Sequence, residues 1–196
     1  PVFTGDGCAT TFDRFDGIDA DHLTRLGLRP PNKNCALDPV QTGLVKQFVV
    51  ELSPFLAALF NESMRSGTFP ASQTVAIVVP AQKKSTLHPL DMSNYRPISN
   101  LSFTSKLLER CVNDQLNKYL HLNGLLPEEQ SAYRSHHSTE TAVLKVLSDA
   151  YAAADGKQVT LLCLLDLSAA FDTVDLDLLL DRLRHTYGLR GSVLGW

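Results

Sequence analysis

The stretch "LLCLLDLSAAFDTVD", Leu161–Asp175, decides how this chain is read. Five apolar residues run directly into Asp166, and Asp172 and Asp175 follow within nine positions. With the residues before it the run reads "QVTLLCLLD", apolar at both parities, which predicts a buried strand covered on both faces. Asp166 then stands at the carboxyl end of that strand, where open sheets place their ligands. Two readings of the acid stay open. It caps a turn, as acids at strand ends commonly do, or it carries a carboxylate to the floor of a site.

The second reading has a definite chemistry. Carboxylates that converge repel one another, at about 4 kcal/mol for a pair ~4 Å apart with an effective dielectric near 20. A divalent cation removes that penalty, and oxygen donors without nearby His or Cys suit Mg²⁺ or Mn²⁺ rather than zinc. Asp172 fits either reading, whereas Asp175 is expected to cap a helix, "LDLLLDRLRHTYG", that stops at Gly188. Between the acids, the small residues Ser168, Ala169 and Ala170 would let main-chain N–H groups approach a phosphate chain. Phe171 would set a flat apolar wall beside it. The same residues equally serve as packing.

Working outward, the order of elements predicts a mixed α/β or α+β fold. Residues 1–37 form an irregular lead-in with one short helix near Ala20–Leu26. Asp38-Pro39 and Ser53-Pro54 each look like an N-cap followed by a first-turn proline, predicting helices at about 39–50 and 54–66 that meet at a sharp corner, with Gly67 as the stop. "TVAIVVP", Thr74–Pro80, and Tyr95–Ser99 read as paired strands with Lys83 and Lys84 at their tip. Such lysines either grip an anion or are solvated edge charges. Ser102 opens a helix that ends at Gly124, a loop with a short extended piece near Gln130–Arg134 follows, and Ser138 caps a helix reaching Ala154. A single buried strand at 158–166 needs neighbours, and the chain offers no good candidates for all of them.

Composition bounds the rest. A hydrophobic content of 44% supports a core, and a net charge of −3 does not by itself advertise a nucleic-acid partner. Cys8, Cys35, Cys111 and Cys163 are scattered without a C-x-x-C pair, which argues against zinc and against a disulfide framework, and Cys163 is expected to be a buried thiol. No stretch approaches the ~18 apolar residues of a membrane span. The chain starts without Met and stops just past a helix, so a fragment is expected.

The ordered set "TVAIVVPAQKK", "SNYRPISNLSFTSKLLERCVNDQL", "LPEEQSAYRSHHSTETAVLKV" and "LLCLLDLSAAFDTVD" resembles the reverse transcriptases of LINE-type (non-LTR) retrotransposons. The upstream "NCALDPVQTGLVKQ" and "SMRSGTFP" fit as well. The resemblance implies part of a right-hand polymerase, with a helical region and fingers over 38–155 and the start of a palm over 156–196. It implies Asp166 as the first metal-binding aspartate, with the main-chain oxygen of Leu167 as a further ligand. Ser168, Ala169, Ala170 and Phe171 would lie along the incoming dNTP, the ring of Phe171 acting as the sugar gate. Lys83, Lys84 and Arg96 would hold the triphosphate, and Gln130 and Arg134 would help shape the template and nucleotide pocket. The implied cofactor is Mg²⁺ or Mn²⁺, and the implied partners are an RNA template, a DNA primer and dNTPs. The oligomeric state is left open. The sequence departs from the family in having Val174-Asp175-Leu176 and Ser135-His136 at motif positions, and no two adjacent aspartates occur in it. The expectation is therefore a polymerase portion inactive on its own. A fingers-like binding module using Lys83, Lys84, Arg96, Lys106, Arg110 and Arg134 is the alternative. A Mg²⁺-dependent phosphotransferase is disfavoured by the lack of a Gly-rich phosphate loop.

Overall fold

A computed structural model of the chain describes residues 9–167 and 170–196. Its core is helical. Helix α1 (Ala20–Leu28) is capped by Asp19, whose carboxylate accepts the His22 N–H. Helix α2 (Thr42–Gln47) runs through a single break at Phe48 into α3 (Val49–Ser66). Helix α4 (Phe103–Leu122) starts at Ser102, whose hydroxyl accepts the Ser105 N–H. Leu23 and Leu26 of α1, Phe60 and Met64 of α3, and Leu107, Leu108, Cys111 and Val112 of α4 pack into one apolar cluster with Ile18 from the lead-in. Each such buried side chain contributes roughly 1.5–3 kcal/mol relative to exposure. Burial also pushes the Cys111 thiol up to about 12, with Asp114 adding to the effect.

Two helix boundaries differ from expectation. Asp38 does not cap α2. Its carboxylate accepts the Phe103 N–H at 2.8 Å and the Cys35 N–H at 3.3 Å, tying the 35–38 turn to the first turn of α4. The side chain of Asn34 accepts the Thr42 N–H instead. Pro54 does not begin a helix but lies inside α3. The hydrogen bond that proline removes belongs to the carbonyl of Val50, a residue exposed enough for water to take its place. Gly67 ends α3 in the left-handed conformation, as its position predicts.

Outside this core the chain is thinly covered. Strand β1 (Ile77–Gln82) pairs antiparallel with β2 (Tyr95–Asn100), and this two-stranded sheet is the whole of the sheet structure among the described residues. Helix α5 (Thr139–Asp155) begins with a capping box between Ser138 and Thr141 and buries none of its residues. Helix α6 (Leu176–His185) is capped by Asp175, and a short α7 (Gly191–Gly195) follows Gly188.

The expected buried strand at 158–166 is absent. Residues 158–167 adopt no regular structure, and Leu161 and Leu165 are more than nine-tenths exposed. Cys163 is correspondingly an exposed thiol, not a buried one. The reason is physical: a strand exists by its ladder, and neither β1 nor β2 pairs with this segment. The extended piece expected near Gln130–Arg134 is a series of turns, with Tyr133 and His136 at positive φ.

Candidate functional site

The expected site residues fall in three groups. The first is the β1–β2 hairpin. Its register sets Gln82 opposite Tyr95 and Ala81 opposite Arg96. Lys83 extends the pairing by donating its N–H to the Asn94 carbonyl at 2.8 Å. The connecting loop is held by its own side chains. Gln82 donates to the Leu87 carbonyl at 2.7 Å, Asn94 to that of His88 at 3.1 Å, and the Tyr95 hydroxyl to that of Pro89 at 2.9 Å. Asp91 accepts the N–H and hydroxyl of Ser93 at 2.9 and 2.7 Å, and these bonds hold its carboxyl below the usual range. Lys83 spends its ammonium on the Ser93 carbonyl at 2.8 Å. The side chains of Lys84 and Arg96 are exposed and take no hydrogen-bond or ion-pair partner among the described residues. The hairpin thus presents two available cations on a self-braced loop. Asp91 and Tyr95 were not singled out from the sequence, although Asp-x-Ser is a recognisable turn signal.

The second group is the loop before α5. One guanidinium nitrogen of Arg134, Nη1, donates to the carbonyls of Pro127, Glu128 and Gln130 at 2.8, 3.0 and 3.2 Å. Gln130 donates to the Ala132 carbonyl at 3.2 Å. Both residues therefore build the loop they sit in. The ring of Tyr133 stands out from it, nine-tenths exposed.

The third group is the acidic segment. The Asp166 carboxylate accepts the N–H of Leu167 at 2.9 Å. Ser168 and Ala169, expected along a triphosphate, lie outside the described residues. Ala170 opens a turn in which the Thr173 hydroxyl donates to the Ala170 carbonyl at 3.3 Å, and Phe171 is almost fully exposed. Asp175 accepts the Leu178 N–H at 3.0 Å, so it is the helix cap its position predicted.

No hydrogen bond or ion pair links the three groups among the described residues. Nor do any three His, Cys, Asp or Glu side chains there come close enough to hold a metal ion. Asp166 and the Leu167 carbonyl offer oxygen donors of the right kind for Mg²⁺, but too few to make a site. The donor set present does not fit a resident cation on its own.

Comparison with known proteins assigns the class. The family profile described as reverse transcriptase (RNA-dependent DNA polymerase) matches residues 81–190, a span that holds the expected site residues of all three groups. The chain belongs to that family. It is 30% identical over 158 residues to the probable RNA-directed DNA polymerase from transposon BS of Drosophila melanogaster, covering 81% of this chain and 17% of that protein. It is 28% identical over 160 residues to the RNA-directed DNA polymerase from mobile element jockey of Drosophila funebris, covering 70% of this chain and 17% of that protein. The probable RNA-directed DNA polymerase from transposon X-element of Drosophila melanogaster is 28% identical over 145 residues. Within the family these matches place the chain among the non-LTR, LINE-type retrotransposon enzymes. It spans about 17% of the length of the first two relatives. No helix among the described residues is long and apolar enough to cross a membrane.

Proposed function

We propose that this chain is the fingers and early palm of an RNA-directed DNA polymerase, with fingers and their helical base over 38–155 and palm from 156. The observation that carries this reading is the single family match at 81–190, which takes in the hairpin cations, the Gln130–Arg134 loop and Asp166 in their expected order. In the complete enzyme Lys84 and Arg96, with Lys83 bracing the loop, would face the triphosphate of an incoming dNTP. Phe171 would wall off its sugar, and Gln130 and Arg134 would shape the template side. Asp166 and the Leu167 carbonyl would be part of the donor set for Mg²⁺. In the complete enzyme, divalent cations held in part by these two oxygen donors would supply charge stabilisation to nucleotidyl transfer.

The chain by itself is expected to be inactive, because one aspartate cannot organise two ions. A primer-extension assay on the 196-residue chain with an RNA template, DNA primer, dNTPs and Mg²⁺ tests this. The expected result is no incorporation above background. Sustained Mg²⁺-dependent incorporation would overturn it.

The exposure of Lys84 and Arg96 also favours a second role that needs no catalysis, in which the hairpin grips nucleic acid through phosphates. Its signature is affinity for an RNA–DNA duplex that falls steeply with salt, because phosphate contacts release counterions. Affinity that stays level from low to high salt would rule that role out.

A further inference from the structure

Residues 10–19 have no helix of their own, yet they are held by their main chain from two sides. On one side, two side-chain amides pair with them as a neighbouring strand would. Asn61 of α3 accepts the Ile18 N–H at 2.8 Å and donates to the Ile18 carbonyl at 2.9 Å. Gln115 of α4 accepts the Asp16 N–H at 2.7 Å and donates to the Asp16 carbonyl at 3.0 Å. On the other side lies the C-terminal segment. Phe12 donates its N–H to the Gly188 carbonyl at 3.0 Å and forms a parallel bridge with Leu189. The N–H groups of Arg190 and Ser192 donate to the carbonyls of Phe12 and Asp13, each at 3.0 Å.

Side chains add fixed points to this main-chain frame. The Tyr119 hydroxyl joins the two segments, donating to the Tyr187 carbonyl at 2.9 Å and lying 3.1 Å from the Thr10 hydroxyl. Phe12 stacks on Tyr119 at 5.1 Å between ring centres, and Phe15 meets Trp196 edge-on at 6.2 Å. Two glycines mark how close the backbones come. A Cβ on Gly188 would stand 2.1 Å from the Thr10 carbonyl oxygen, and one on Gly191 would stand 2.5 Å from that of Asp13. Both have positive φ, so a side chain there is strained in its backbone as well as in its space.

We infer that residues 10–19 form a latch that, beside the direct hydrogen bond from the Trp196 indole N–H to the Ser63 hydroxyl at 3.0 Å, fastens residues 187–196 to the α3–α4 core. The latch thereby anchors, through α6, the C-terminal side of the segment that carries Asp166 and Asp175. The inference stands independently of any metal or nucleotide role for that segment. Because Asn61 and Gln115 engage backbone, the latch depends on the path of the chain and not on the side chain of Asp16. Because 10–19 and 187–196 share their hydrogen bonds, loosening either one loosens the other.

Hydrogen–deuterium exchange on the full chain tests this from both sides. In the double variant Asn61→Ala/Gln115→Ala, amides of 187–196 should exchange at least tenfold faster. In Gly191→Ala, amides of 12–18 should do the same. In both, amides around Leu23 and Phe60 should keep their wild-type rates, and Asp16→Ala should leave the whole pattern within twofold. Wild-type protection of 187–196 in the double variant would overturn the latch. So would core amides that speed up along with the others in both variants, since the segment would then be one with the core and not a separable fastening.

Discussion

The carboxylate of Asp166 is turned back onto its own chain, accepting the N–H of the next residue, Leu167, at 2.9 Å. That bond is local. It needs no sheet and no second acid, and it leaves the apolar run before it open to solvent. In this chain the carboxylate makes that one local bond, and a metal-ligand role needs donors that the described residues do not bring together.

The exposed run makes a direct chemical prediction. Cys163 should react with a maleimide within minutes under native conditions, while Cys111 stays unlabelled until the chain is unfolded. Cys111 is enclosed by α1, α3 and α4, and its thiol is pushed up to about 12, so the reactive thiolate is scarce at neutral pH. Mass spectrometry of timed labelling reads both sites. Protection of Cys163 equal to that of Cys111 would mean the run is covered after all.

The hairpin cations predict a salt effect. Lys84→Ala and Arg96→Ala should each weaken binding to an RNA–DNA duplex across sequences, and each should lower the slope of log affinity against log salt by about one. Lys83→Ala should instead loosen the 83–94 loop, since its ammonium is engaged by the Ser93 carbonyl. Fluorescence anisotropy over a salt series separates the two effects. Equal slopes for all three variants and wild type would contradict the assignment.

Arg134 braces its loop. Arg134→Ala removes the donor that three carbonyls share. The local opening free energy of 127–134 should fall by about 1–3 kcal/mol. Limited proteolysis should then cut within this loop several-fold faster, while sites in α4 are unaffected. An unchanged cutting rate would show that the bonds do not order the loop.

Asp91 gives the hairpin an acid dependence. Its folded carboxyl lies below its ordinary value because the Ser93 hydroxyl and N–H hold the ionised form, with Lys83 adding a smaller attraction. The stabilisation is fully present above the unfolded value of about 3.9 and is lost as pH falls through the lower folded value. Exchange of the Ser93 amide should accelerate beyond its intrinsic pH trend only in that acid window, and Asp91→Asn should remove the extra step. A step that survives the substitution would assign it to another group.

The helices were legible because their ends are written locally. Ser102, Ser138, Asp175 and Gly67 all cap or stop where their residue types predict. What could not be read is set by distance. Asp38 looks like an N-cap, but its partner is the Phe103 N–H, 65 residues away. Asn61 and Gln115 hold backbone, which leaves no pattern in the residues they hold. The run at 158–166 has every local mark of a buried strand, and burial is the one property that another segment must supply. Of the site, the motif order was legible and agrees with the family match, but no hydrogen bond, ion pair or metal-ligand cluster joins the three groups among the described residues.

In the proposed reading Asp166 supplies one part of a metal site and not a site by itself. Titration with Mn²⁺, followed by electron paramagnetic resonance of the free ion, tests it most directly on the chain and on Asp166→Asn. No stoichiometric binding is expected at micromolar Mn²⁺, and the titration curves for the two proteins should coincide within twofold. A tight, one-to-one site in the wild-type chain that disappears in Asp166→Asn would contradict it.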